Sequence, residues 1–141
     1  MNHLTQIMDA VAAAVASVTP ATLPNQGFLR VGDLASSGRL RAFSLGLVSL
    51  RPVEDGPKSL TAAPALAGTF RMRVLYPPAG PEQGAEEMLA LDAGDILTAL
   101  AGLDLSTCQA TGIVPGDLNV TIDDLGSRTV ELRLSATLME V

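Results

Sequence analysis

The groups on which this chain could build chemistry are one histidine, one cysteine and fifteen carboxylates among 141 residues. His3 stands at a frayed N-terminal end, a poor setting for a buried acid–base role. Cys108 falls in an unrelated element, so neither a Ser–His nor a Cys–His arrangement has a convincing base. A lone cysteine also excludes an intramolecular disulfide framework and a zinc site of several Cys ligands. Its ordinary place is that of a small buried hydrophobe, which fits a reducing cytoplasm. The carboxylates gather as Glu86/Glu87, Asp92/Asp95 and Asp117/Asp123/Asp124. Hard oxygen ligands of the last group suit Mg²⁺ or Ca²⁺, but their spacing is not that of an EF-hand loop, and turn carboxylates ordinarily cap and solvate. No Gly-x-Gly-x-x-Gly or Walker-type run occurs. The expectation is a protein that is not an enzyme, with no bound metal or cofactor.

Composition narrows the remaining classes. Hydrophobic residues make up 48% of the chain and aromatics 3%, with a mean hydropathy of +0.34, so the core must be aliphatic. That much apolar content in a short chain points to surface buried between subunits. The alternative is a greasy core plus many alanines from codon bias, which eight Arg against one Lys would also reflect. Net charge is −6, and the nine basic residues are scattered rather than striped. Tight binding of DNA or RNA is therefore not expected, although an acidic protein can surround DNA without gripping it. No apolar run approaches the roughly 18 residues of a membrane helix. Ala10–Val18 has Ala-x-Ala spacings but no basic n-region, and Asp9 interrupts the apolar segment, so export is not expected.

The elements that must position these groups follow from periodicity. The segment from Thr129 to Val141 alternates strictly, with Val130, Leu132, Leu134, Ala136 and Leu138 on one face. This predicts a half-buried strand to which earlier strands pair. Leu4, Ile7, Met8, Val11, Val15 and Val18 form one stripe of a helix over 2–18, capped by Asn2 and ended before Pro20. Its alanines Ala12, Ala13 and Ala16 permit close approach of a neighbour, or simply favour the helix. A short strand is expected at 28–31 and a longer one at 40–51, with Phe43, Leu45 and Leu47 on one face and Gly46 marking a bulge or close backbone contact.

Residues 52–67 hold three prolines and one glycine. Sixteen residues is long against the two to five usual for a hairpin, and Leu60 and Leu66 make this stretch an arm that packs on something. A strand over 68–76 alternates Phe70, Met72, Val74 and Tyr76 with Thr69, Arg71 and Arg73. The two arginines project together, either onto a solvated face paired with neighbouring carboxylates or toward an acidic partner. A helix over 81–100 starts at Pro81 with acids in its first turn. Its core stripe is Leu89, Ala93, Ile96, Leu100 and Leu103, with Gly94 crowded by the sheet and Gly102 as C-cap. A short strand at 110–114, broken by Pro115-Gly116, precedes one at 117–123 with Leu118, Val120 and Ile122 inward. A turn at 124–128 then closes a hairpin with the last strand. The whole reads as a single α+β domain over 1–141, a mainly antiparallel sheet packed against two helices, with a long loop between two central strands.

This order of elements (helix 2–18, strands 40–51 and 68–76, helix 81–100, strands 117–123 and 129–141) resembles the tail terminator family of long-tailed bacteriophages, the minor tail protein U type. A version from a phage-like gene transfer agent fits the Arg-over-Lys bias equally well. The resemblance covers nearly the whole chain and is architectural, without a diagnostic motif. It implies a structural virion protein, assembled in the host cytoplasm and placed at the head-proximal end of the tail. There a homohexameric ring caps the tail tube, ends polymerisation and offers a docking face to the head-completion or neck protein, while DNA passes through the lumen without specific binding. Heterologous head-to-tail contacts are the symmetry such a ring uses. By the same analogy the 52–67 arm (Glu54, Asp55, Lys58, Leu60, Leu66), the outward Arg71 and Arg73, and the alanine face of helix 2–18 are subunit or tube contacts. The rival readings are a neck or head–tail connector protein and a small non-viral α+β interaction or ligand-binding module.

Overall fold

A computed structural model describes residues 3–20, 27–34, 39–52, 66–77, 85–105, 113–122 and 127–138. Two helices, α1 (His3–Ala16) and α2 (Ala85–Ala101), accompany five strands: β1 (Leu29–Arg30), β2 (Ala42–Pro52), β3 (Leu66–Tyr76), β4 (Val114–Ile122) and β5 (Arg128–Leu138). The fold is α+β, and the sheet has the order β1-β2-β3-β5-β4. Only the two-residue β1 runs parallel to its neighbour; the other pairs are antiparallel.

The last strand sits inside the sheet, as its alternation predicts. β5 pairs with β3 from Leu66↔Leu138 to Tyr76↔Arg128 and with β4 on its other side. Val130, Leu132, Leu134 and Ala136 are buried, and they meet Phe70, Met72, Val74 and Tyr76 of β3 in one apolar layer. Ile7, Val11 and Val15 of α1 and Leu89, Ile96 and Leu100 of α2 close that layer from one side. Period two on the strands and period 3.6 on the helices thus converge on a single core.

Several expectations need correction. Strand structure enters the 52–67 segment from both ends: Pro52 closes β2 and pairs with Leu66, which opens β3. Leu66, expected to pack on something, packs against the core of its own domain. The expected break at Pro115-Gly116 is absent, because β4 runs through it with a register irregularity between Pro115 and Leu118. An edge strand has one pairing partner only, so a proline there forfeits no necessary ladder bond. Gly116 suits the spot, since a Cβ there would lie 3.4 Å from the Arg133 carbonyl oxygen. Leu118, Val120 and Ile122 lie opposite Leu132, Val130 and Arg128, on the helix side of the sheet. They are nevertheless 38%, 47% and 58% exposed, because α2 lies over β3 and β5 and leaves the edge strand open. Among the described residues nothing crowds Gly46 or Gly94; the irregularity in β2 falls at Leu47/Ser49 instead.

Candidate interaction surfaces and a buried ion pair

Three places in the molecule gather groups that could act. The first is Arg41. It lies in a turn closed by the Ala42 amide donating to the Arg39 carbonyl at 3.2 Å, with a left-handed φ of 61°. A non-glycine residue in this region costs about 1–3 kcal/mol and persists only where its surroundings over-determine it. Here the backbone is held on both sides: the Arg41 amide donates to the Leu75 carbonyl at 2.8 Å, and its carbonyl accepts from the Leu29 amide at 3.2 Å. The side chain turns beneath α2. Nε donates to Asp92 Oδ2 at 2.7 Å and Nη2 to Oδ1 at 3.1 Å, while the Tyr76 hydroxyl donates to Oδ2 at 2.7 Å. The guanidinium also stands 5.7 Å from the centre of the Phe28 ring, within cation–π reach.

Arg41 and Asp92 are both 0% exposed. Burial, then the hydrogen bond to Asp92 and its charge, hold the Tyr76 phenol protonated far above the ordinary phenol range, against an opposing effect of Arg41. No buried side-chain nitrogen or oxygen among the described residues lacks a partner. The bidentate Arg–carboxylate geometry is the strong form of the contact. With no path to solvent, its work is positional: it ties the start of β2, the end of β3 and the middle of α2 to one point.

The second place is the sheet face opposite the helices. In-register pairing sets Arg71 beside Arg133 and Arg73 beside Glu131, and Arg51, opposite Ala67, shares that face. Arg71, Arg73 and Arg133 all lean on Glu131, with nitrogen–oxygen distances of 3.6, 3.8 and 4.0 Å. Those separations exceed the 2.7–2.9 Å of a charge-assisted hydrogen bond. The three arginine side chains are 38%, 39% and 43% exposed. The same face carries Ser44, Gly46 and Ser49 on β2, Thr69 and Leu75 on β3, Ser135 on β5 and, on β4, Asn119 opposite Glu131 and the exposed Asp117 in the irregularity beside Arg133.

The third is an apolar cleft of about 370 Å³ between α2 and the edge strand, lined by Leu89, Ala90, Ala93, Leu118, Val120 and Ile122, with Arg128 and Val130 at its side. Its size falls among small-ligand sites, and a single cation is the charged group on its wall. Deeper, between α2 and the sheet, the void shrinks to about 10 Å³, room for about one water.

The residues singled out from sequence are distributed as follows. Arg71 and Arg73 come together on the outer face; Leu66 joins the core; Glu54, Asp55, Lys58 and Leu60 lie outside the described residues. The alanines of α1 divide, Ala12 buried and Ala13 and Ala16 exposed. Asp92 and Asp95 do not act as a pair, since Asp92 is committed to Arg41. Asp117 is exposed on β4, whereas Cys108, Asp123 and Asp124 lie outside the described residues. Among the described residues no three His, Cys, Asp or Glu side chains gather as a metal site, and no helix is long and apolar enough to cross a membrane. Sequence reasoning missed Arg41 as a core residue. The signal was its phase: Arg41 shares the period-two face of Phe43 and Leu45, and Asp92 lies one turn from Leu89 and Ile96. No protein-family model and no curated protein matches the chain.

Proposed function

We propose that this chain is a structural subunit of a homo-oligomeric ring of the tail terminator kind, capping a tail tube and offering a face to the head-completion protein. The observation that carries this reading is the distribution of exposed surface. The helices cover one side of the sheet only, leaving an arginine-bearing face and an apolar edge strand open, while the fully buried charges are closed to any substrate. Exposed apolar strands and flat polar faces are what subunit contacts use. The ring acts by shape: one side accepts the tube, the other refuses a further tube subunit.

The test is absolute mass by light scattering on a sizing column across protein concentration, with negative-stain images. A six-fold ring with a central hole is expected. A monomer at every concentration, unchanged by added tail tube, would sink the proposal. The apolar cleft beside β4 favours a second reading, a small ligand-binding or interaction module. That reading predicts that the monomer binds an apolar fluorescent probe saturably and loses it on Val120→Lys.

A further inference from the structure

The apolar face of β5 is broken at one place. Arg128 stands in phase with Val130, Leu132 and Leu134, opposite Ile122 of the edge strand, so it belongs to the helix side of the sheet. It is half-buried and forms part of the wall of the cleft between α2 and β4. Among the described residues no carboxylate pairs with it, whereas Arg30, Arg41, Arg71, Arg73 and Arg133 each have one within 4.0 Å.

The cleft runs along β4. Leu118, Val120 and Ile122 line it at every second position, a row about 13 Å long at the rise of a strand. Leu89 and Ala93 face them from one turn of α2. Beneath, the core closes to a void of about 10 Å³, so an occupant lies along the trough instead of entering the core. The cation stands at the Ile122 end of the row. An aliphatic trough with one positive charge at its end is complementary to a narrow apolar body with one negative charge at its end. A single guanidinium, with its planar pair of N–H donors, matches one carboxylate, whereas the charge of about −2 on a phosphate monoester would be half unmatched. The apolar walls exclude water, which strengthens such a pair.

We infer that the cleft binds a straight-chain aliphatic carboxylate, a fatty-acid anion, with its head on Arg128 and its chain along Ile122, Val120 and Leu118. The inference rests on the ligand-binding reading of the cleft, names the ligand class, and is independent of the ring.

The experiment is calorimetric titration of the full chain with hexanoate, octanoate and decanoate below their micelle concentrations, and with neutral octanol. Affinity is expected to rise about fourfold per added CH₂ until the chain outruns Leu118, and octanoate should bind more tightly than octanol. Arg128→Gln should weaken octanoate about tenfold or more and leave octanol unchanged. Arg128→Lys should keep part of the preference, because it retains the charge without the planar fork. Val120→Glu, at a position already exposed, should abolish binding of both, with circular dichroism checking that each variant folds. Octanoate and octanol bound equally, with Arg128→Gln indifferent, overturns the carboxylate assignment and leaves an apolar ligand site standing. Binding of neither, nor of an apolar fluorescent probe, overturns both the assignment and the ligand-binding reading. An oligomer that binds neither and that Val120→Glu takes apart overturns them too, and gives the cleft to a second copy of the chain.

Discussion

The molecule contains two clusters of arginine and carboxylate that share chemistry and differ in almost everything else. Beneath α2, one guanidinium meets one carboxylate at 2.7 Å, with both groups fully buried and a tyrosine closing the arrangement. On the open sheet face, three guanidiniums share one carboxylate at 3.6–4.0 Å, all partly in water. Burial accounts for the contrast. In a low-dielectric interior an unmatched charge is intolerable, so stoichiometry and geometry become strict. In water, surplus charge is cheap and distances relax. The first cluster consequently fixes the positions of elements, and the second stays available to something outside the molecule.

The sharpest way to break this comparison is to strand one buried charge. Asp92→Leu leaves Arg41 without its anion and is expected to cost about 3–5 kcal/mol in urea unfolding. Arg41→Met combined with Asp92→Leu and Tyr76→Phe should recover most of that loss, because an apolar replacement of a whole buried pair is often neutral. If the triple variant were as unstable as the single one, the cluster would be supporting the fold in another way than charge matching.

Tyr76→Phe removes one hydrogen bond to a buried carboxylate and should cost about 1.5–3 kcal/mol. The same residue supplies a pH test. Its folded-state pKa is raised, so the unfolded chain releases the phenolic proton first, and stability falls as pH climbs above about 10. As the one tyrosine in a chain without tryptophan, it reports this directly: the phenolate absorbance band should appear only with unfolding. A band rising through the ordinary phenol range in the folded protein would contradict the buried geometry.

The smallest effect belongs to the outer face. Arg71→Gln alone should move the stability of the isolated subunit by no more than about 0.5 kcal/mol, and that difference should vanish in high salt. A larger, salt-resistant loss would mean that the outer cluster is structural as well.

Much of the architecture was legible in the residues. β5, β3 and the stripe of α2 announced themselves by unbroken periodicity, and the two-residue β1 falls within the short strand expected at 28–31. The errors have a common origin in the third dimension. Alternation in Leu118, Val120 and Ile122 correctly gave the side of the sheet they occupy, but not whether a helix reaches far enough to cover them. Pro115-Gly116 reads as a stop in any central strand, and only an edge position makes it harmless. For the site, Arg71 and Arg73 were visible together, whereas Glu131 and Arg133 joined them only once register placed β5 beside β3. Arg41 escaped because a charged residue in phase with an apolar face ordinarily argues against burial; its partner lies 51 residues away.

The run through Pro115 and Gly116 in β4 also bears on how the protein fails. An open sheet edge is a template for unwanted growth into fibrils, and a continuous row of amide donors is what templates need. Pro115 lacks a donor, and the register shift beside it interrupts the ladder. That protects the first part of the strand and leaves the five residues from Leu118 to Ile122 as the segment through which an overexpressed or partly unfolded chain would begin to aggregate.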